Sequence, residues 1–163
     1  MIKKMITCAA ALMLSSAAMA DEWTSRKGMR FGYAYVNGAA EASEDVHSSH
    51  MTVLGLELQQ TMKGGEWLDL LFIENVSITG LDQSFAAPSV SLMAGFEVNN
   101  QIQVGVGPNL AAFDPGEEEN FFHLAGALGY TKAAGKFSVP LHVVYIPDVN
   151  GYWRFGATTG VNW

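Results

Sequence analysis

Residues 28–163 of this chain alternate between apolar side chains and small or polar ones, with a period of two. Two is the side-chain period of a β-strand, because successive side chains point to opposite faces. Eight segments of about ten residues carry the pattern. They are 28–37, 51–61, 67–78, 89–98, 101–110, 121–131, 137–147 and 152–163. The alternation predicts an all-β protein with eight strands.

The connections between these segments alternate in length. Residues 62–66, 99–100 and 132–136 form one short, turn-like set. The other set, 38–50, 79–88, 111–120 and the shorter 148–151, is mostly longer. An even number of strands with short turns at one end and longer loops at the other is typical of an antiparallel up-and-down transmembrane β-barrel. We therefore expect that fold, with the longer loops outside the cell.

The two faces of the predicted strands differ in composition. In the first strand, Met29, Phe31 and Tyr33 alternate with Arg30 and Gly32, and the other strands follow the same scheme. A soluble lipid-binding barrel would hide its apolar face inside. Here the second face consists of small residues with a few charges, which suits the crowded interior of a narrow eight-stranded barrel. We expect the apolar face to contact lipid and the lumen to be filled with side chains.

The third segment contains one conflict with this scheme. Glu74 falls in the same frame as Leu70, Phe72, Val76 and Ile78, all of which would face lipid. A β-bulge near Glu74, or a place at the extracellular rim, would remove the conflict.

The first twenty residues have the features of a cleaved signal peptide. Lys3 and Lys4 are followed by an apolar stretch too short to cross a bilayer and by the small-residue pattern Ala18-Met19-Ala20. We expect a single mature domain over residues 21–163 without a cysteine, since the one cysteine, Cys8, precedes the cleavage site. Its seven basic and sixteen acidic residues give a net charge of −9. That balance disfavours nucleic acid as a partner, because binding phosphates requires Lys and Arg.

The last strand provides the most specific resemblance to a known class. Phe155, Val161 and Trp163 share its apolar face with the weaker members Ala157 and Thr159. Over residues 21–163 the chain resembles the small eight-stranded outer-membrane barrels of Gram-negative bacteria, the OmpA and OmpX type. The resemblance implies residence in the outer membrane, contact with its lipids and lipopolysaccharide, and a final strand read by the barrel-assembly machinery. Phe155, Val161 and Trp163 would then be the assembly signal, with Trp163 also an interface anchor.

Aromatic residues fit the same arrangement, because Trp and Tyr concentrate at both edges of a membrane. The periplasmic group is Trp23, Trp67, Tyr130 and Trp163, and the extracellular group is Tyr35, Tyr145, Tyr152 and Trp153.

Seven charged or titratable residues are predicted to face the lumen. They are Arg30, Glu57, Asp69, Glu97, His123, His142 and Arg154. Buried charges need partners, which favours a salt-bridged polar network. The alternative is an acid/base site for ester hydrolysis that combines one of the two histidines with Glu57 or Asp69. Outer-membrane lipid A deacylases have a serine two residues after the histidine, whereas this chain has Ala125 and Val144.

We therefore expect no catalytic residues and no cofactor, and a structural or surface-interaction role in the outer membrane. Two alternatives remain: an outer-membrane enzyme that modifies lipid A or lipopolysaccharide, and a soluble periplasmic lipid-binding barrel.

The predicted extracellular loops are acidic. Their acidic residues are Glu41, Glu44, Asp45, Asp82, Asp114, Glu117, Glu118 and Glu119, with His47 and His50 beside the first group. Carboxylates bind hard divalent cations, so such ions are candidate partners of the loops. The spacing lacks the regularity of a calcium loop, and charge runs are usually solvated. We therefore assign no metal site.

Overall fold

The computed structural model describes residues 23–42, 44, 46–113, 122–148 and 151–163. Eight antiparallel strands form a closed barrel in which each strand pairs with its neighbours in sequence and the last pairs with the first. The strands are β1 Trp23–Val36, β2 His50–Met62, β3 Leu68–Thr79, β4 Ala87–Val98, β5 Ile102–Ala111, β6 Phe122–Ala134, β7 Phe137–Ile146 and β8 Arg154–Asn162. The predicted all-β up-and-down barrel is confirmed.

The register of the strands fixes the tilt of the barrel. A path that starts at Thr24 on β1 leads from each residue to its ladder partner on the next strand. The path passes through Thr61, Leu71, Gly95, Gly105, Ala127, Val144 and Gly156. The path returns to β1 at Ala34, ten residues beyond the starting point. A shear of ten over eight strands, with ordinary strand spacings, corresponds to a strand tilt of about 40°.

The short turns at one end of the barrel have clear local causes. Asn99 and Asn100 connect β4 to β5, and both have positive φ, 53° and 55°. Asparagine tolerates this left-handed conformation better than other non-glycine residues, which suits a tight hairpin. The turn is closed by the Gln101 N–H, which donates to the Val98 carbonyl at 3.0 Å. Between β6 and β7, Gly135 supplies the positive φ.

The opposite end of the barrel carries the longer connections and a small apolar cluster. A short helix, α1 (Ala39–Ala42), follows β1, and a 3₁₀ turn (Leu81–Gln83) follows β3. Val36, Ala39, Val46 and Met51 are buried together, with Phe85 and Phe113 packed against them. The Phe85 and Phe113 rings meet edge to face at a centroid distance of 4.8 Å. We call these six residues the loop-end cluster.

The apolar face of the strands points outward, as the alternation predicts. Phe31, Leu124 and Leu141 are 57%, 56% and 54% exposed, whereas their neighbours Arg30, His123 and His142 are buried. The same division continues around the barrel, where Met29, Leu54, Leu56, Phe96, Val104, Val106, Phe122, Leu128, Val139 and Tyr145 are all exposed. The barrel therefore presents a continuous apolar belt to its surroundings.

Two details of the sequence-based prediction were wrong. β1 begins at Trp23, five residues before the predicted start, which adds Thr24 and Arg26 to the luminal face. No bulge interrupts β3 near Glu74, since Ile73, Glu74 and Asn75 pair one-to-one with Met93, Leu92 and Ser91. Glu74 also lies in the middle of β3 rather than at its rim. Continuous pairing keeps its side chain on the outward face of the barrel.

The helices in the described part of the chain are too short or too polar to cross a bilayer. The predicted signal peptide, residues 1–20, lies outside the described residues.

Candidate functional site

A continuous hydrogen-bonded network crosses the lumen in the half nearer the short turns. Arg26 on β1 donates to Glu97 on β4 through Nη1 and Nη2, both at 2.9 Å. The Gln103 amide on β5 also donates to Glu97, and its Oε1 lies 2.8 Å from the His142 Nε2. Since β1 and β4 are not adjacent in the sheet, the Arg26–Glu97 pair spans the barrel interior.

The same network continues from His142 to a second ion pair. His142 Nδ1 lies 3.4 Å from a Glu57 carboxylate oxygen, and Arg30 forms an ion pair with the same carboxylate through Nη2. The Gln59 amide donates to Glu57 at 2.7 Å and lies 3.4 Å from Gln103 Oε1, which links the two halves. We call the connected set, Arg26, Arg30, Glu57, Gln59, Glu97, Gln103 and His142, the luminal network.

Two predicted luminal groups stand apart from the luminal network. Arg154 Nη2 lies 3.2 Å from His123 Nε2, and the other ring nitrogen, Nδ1, lies 3.7 Å from Asp148. Asp69 is opposite Glu97 in the register, but its carboxylate accepts the Gly64 N–H at 3.1 Å and pairs with Lys63 at 3.5 Å. These groups therefore form separate small clusters.

The structure thus brings together four of the seven predicted luminal residues: Arg30, Glu57, Glu97 and His142. Arg26 was missed because the predicted first strand began at residue 28. The sequence did indicate its luminal position, because Thr24, Arg26 and Gly28 continue the alternation in the same frame as Arg30. Gln59 and Gln103 were placed on the luminal face, but only the register shows that their amides join the two ion pairs.

The half of the lumen nearer the longer loops contains a cavity with a volume of about 140 Å³. This corrects the expectation of a lumen filled throughout. The physical reason is side-chain size, because Ala34, Ser77, Ser91, Ala111 and Ala127 all line this half. Arg30 and His142 line the cavity on the side of the luminal network, and Met51 and Phe113 line it on the side of the loop-end cluster.

An aromatic patch lies on the outward face, at the ends of β1, β2 and β8 that meet the longer loops. The Tyr33 hydroxyl contacts His50 Nδ1, and the rings of Tyr35 and His50 meet edge to face at 5.1 Å. Trp153 packs against Tyr35 at 5.3 Å and against Tyr145 at 6.2 Å. Tyr35, Tyr145 and Trp153 belong to the aromatic group predicted for this end of the barrel, and Tyr33 and His50 extend it.

The loop after β1 and the loop after β3 are joined by polar contacts. Asp82 accepts hydrogen bonds from the Thr52 N–H at 2.9 Å and from the Thr52 hydroxyl at 2.8 Å. The backbone hydrogen bond, followed by that from the hydroxyl, holds the pKa of Asp82 below its ordinary value of 3.8. The Gln83 side chain accepts from the N–H groups of His47 and Ser48. Asp82 thus ties the loop after β3 to the start of β2.

The described residues offer neither a metal site nor a matched nucleophile. Within those ranges, no group of three His, Cys, Asp or Glu residues is placed to hold a metal ion. Asp45, Asp114 and Glu117–119 lie outside the described residues, so cation binding at the acidic loops stays a prediction. The residues two positions after the luminal histidines are Ala125 and Val144, neither of which can attack an ester.

No protein-family model matches the chain, and no curated protein matches its sequence. Among solved structures, the Yersinia pestis outer membrane protein Ail in a phospholipid bilayer nanodisc matches with a TM-score of 0.46 and 12% identity, over 86% of this chain and all of that one. A de novo designed transmembrane β-barrel matches with a TM-score of 0.45 and 7% identity, over 89% of this chain and 98% of the design. At TM-scores below 0.5, neither likeness says what this chain does.

Proposed function

We propose that this chain is an integral outer-membrane barrel of a Gram-negative bacterium with a structural or surface-interaction role. The apolar belt on the outside of the barrel carries the proposal. Soluble proteins rarely expose contiguous apolar patches of more than a few hundred Å². Here large exposed hydrophobics such as Phe31, Leu56, Leu124, Leu141 and Val161 occur on strands all around the barrel. A bilayer is the surrounding in which such a surface costs least.

The ends of the belt fit the two edges of a membrane. Trp67, Tyr130 and Trp163 are exposed toward the end with the short turns, and Tyr33 and Tyr145 toward the end with the longer loops. Aromatic side chains of this kind prefer the headgroup region. The proposed orientation therefore places the short turns in the periplasm and the aromatic patch around Trp153 at the outer leaflet, against lipopolysaccharide.

The outward residues of β8 support a role in assembly. Phe155, Val161 and Trp163 are all exposed on the lipid side of this strand. The Trp163 backbone also closes the seam with β1, since its N–H donates to the Lys27 carbonyl at 2.8 Å and its carbonyl accepts the Lys27 N–H at 3.0 Å. We include these three side chains in the proposal as the signal for the barrel-assembly machinery, and residues 1–20 as the secretion signal.

The luminal network supports the structural role over a catalytic one. Its charges are held in ion pairs and amide hydrogen bonds across the barrel, an arrangement that fixes the register of distant strands. A hydrolytic site would need a nucleophile beside a base. The contacts of the two histidines described above are instead with the Glu57 and Asp148 carboxylates, the Gln103 amide and the Arg154 guanidinium.

The proposal is tested by the location of the full-length chain in a Gram-negative host. After cell fractionation, we expect the protein in the outer-membrane fraction, resistant to a urea wash and released only by detergent. Its folded form should migrate faster than the heat-denatured form on an electrophoresis gel. Recovery from the soluble periplasm without detergent would contradict the membrane assignment and favour a soluble lipid-binding barrel.

A further inference from the structure

We propose that the cavity in the half of the lumen nearer the longer loops is a binding site for a small neutral molecule with an apolar body and one hydrogen-bond donor. The proposal concerns the interior of the barrel and goes beyond its membrane role. It rests on three features of the cavity: its size, the division of its lining, and a buried acceptor without a partner among the described residues.

The size of the cavity limits the ligand to a few atoms. Its volume of about 140 Å³ is close to that of a cavity of roughly 150 Å³ that accepts one benzene molecule. A molecule with about six to eight nonhydrogen atoms therefore fits. A phospholipid or a lipid A acyl chain is much too large to be enclosed.

The lining divides into an apolar and a polar wall. Met51 and Val53 from β2 and Val144 and Ile146 from β7 form much of the apolar wall. The polar wall comes from β3, β4 and β5, where Ser77 is hydrogen-bonded to Ser89 at 2.8 Å and Asn109 to Ser91 at 2.8 Å. Such a lining favours a molecule with one polar edge.

One polar atom of this wall identifies the hydrogen-bonding group of the ligand. Asn109 is 4% exposed, and its Nδ2 donates to Ser91, while its Oδ1 has no hydrogen-bond partner among the described residues. A buried acceptor without a partner is costly, so a ligand that donates an O–H or N–H to Asn109 Oδ1 is favoured. The Arg30 charge on the cavity wall is already paired with Glu57. Arg154, which also lines the cavity, contacts His123 through Nη2, so both guanidinium groups on the wall already have partners and a neutral ligand is favoured.

The chain contains its own reporters for a binding experiment. Met51 and Met93 line the cavity, whereas Met29 lies on the outward belt and is 59% exposed. With ¹³C-labelled methionine methyl groups and the protein in phospholipid nanodiscs, the Met51 and Met93 signals report on the lumen and the Met29 signal reports on the lipid. Benzyl alcohol is the probe, and toluene is the matched probe without the hydroxyl.

We expect benzyl alcohol to shift the Met51 and Met93 methyl signals saturably, while any Met29 shift grows linearly as the probe enters lipid. Asn109→Leu should weaken benzyl alcohol binding by about three- to tenfold, the effect of one hydrogen bond, and leave toluene binding unchanged. Ala127→Leu, which fills part of the cavity, should weaken the binding of both probes. A linear response at all three methionines overturns the proposal, as does benzyl alcohol binding that Asn109→Leu leaves unaltered.

A failure of the cavity proposal can be distinguished from a failure of the membrane assignment. Contacts between the Met29 methyl group and lipid acyl chains test the position of the belt, whatever the cavity binds. Should Asn109→Leu fail to fold, Ala127→Leu and saturation in the unaltered protein decide the question.

Discussion

Arg26 and Glu97 form a two-point ion pair across the barrel, with both N–O distances at 2.9 Å although the residues are 71 positions apart in sequence. The Glu97 side chain has no exposed surface, and that of Arg26 is 21% exposed. The pair connects β1 to β4 through the lumen, so it holds together strands that share no ladder.

Glu97→Gln should destabilise the folded barrel by about 3 kcal/mol, because it leaves a largely buried guanidinium without its counterion. Lys63→Gln is the matched control. It also removes one partner of an ion pair, but Lys63 is 64% exposed and lies 3.5 Å from Asp69. The control should change the free energy of unfolding by less than about 1 kcal/mol. Urea unfolding in lipid vesicles measures both variants. Equal effects would mean that the Arg26–Glu97 pair contributes no more than a surface pair.

The luminal histidines provide a test of the enzyme alternative. His142→Ala should lower the free energy of unfolding by about 1–3 kcal/mol, because it leaves Glu57 and Gln103 with fewer buried partners. His123→Ala should have a similar direction of effect through Arg154 and Asp148. Neither variant should change the lipid A profile of the host measured by mass spectrometry. The result would be different if the unaltered protein removes an acyl chain from lipid A. A histidine variant that folds normally but has lost this activity would then show that the histidine is catalytic.

The contact between Asp82 and Thr52 should weaken in acid. Since the folded-state pKa of Asp82 lies below its ordinary value of 3.8, the carboxylate stabilises the joined loops at neutral pH. That contribution is lost as the pH falls from above 3.8 through the lower folded-state pKa. The Thr52 amide signal in an NMR titration should follow this change, with a midpoint below 3.8, and Asp82→Asn should abolish it. A midpoint above 3.8 would contradict the hydrogen bonds seen here.

Trp163→Ala separates assembly from stability in the last strand. The substitution removes the indole ring but keeps the two backbone hydrogen bonds to Lys27. We expect slower appearance of the folded form in cells and a small change in the free energy of unfolding in vesicles. Leu141→Ala, which removes an exposed belt residue from β7, is the control and should assemble at the normal rate. Equal assembly rates for both variants would contradict a signal that includes Trp163.

The sequence alone predicted the strand count and the inward or outward direction of nearly every strand residue. It could do so because the side-chain period of a strand is a local property. The luminal partners could not be predicted in the same way. The link from Arg26 to Glu97, and from His142 to Gln103, depends on the shear of ten residues, which a single strand does not encode. The start of β1 was misplaced because Ser25 and Lys27 interrupt the apolar pattern on the outward face.

The cavity was missed for a related reason. Small luminal residues such as Ala34, Ser91 and Ala127 were taken to indicate a crowded lumen filled with side chains. The register instead gathers them in one half of the barrel, while Gln59, Gln103 and Glu97 meet in the other. Both halves follow the same alternation, so only the three-dimensional arrangement distinguishes the filled half from the open one.

The central claim, that the apolar face meets lipid and the polar face lines the lumen, is tested most directly by two adjacent substitutions in β8. Ala157 pairs with the outward residues Tyr33 and Val143, whereas Thr158 pairs with the luminal Gly32 and His142 and lines the cavity. With a rise of about 2.6 Å per residue along the membrane normal, Ala157 lies roughly 16 Å above Trp163, near the middle of the apolar belt.

The free energy of folding of both arginine variants in lipid vesicles is the deciding measurement. Ala157→Arg should lose about 2–4 kcal/mol, because it places a charge in the middle of the bilayer. Thr158→Arg should lose less, because its side chain enters the polar lumen beside the cavity. If Ala157→Arg folds normally and Thr158→Arg does not, the assignment of the two strand faces to lipid and lumen is reversed. That result would contradict the membrane assignment.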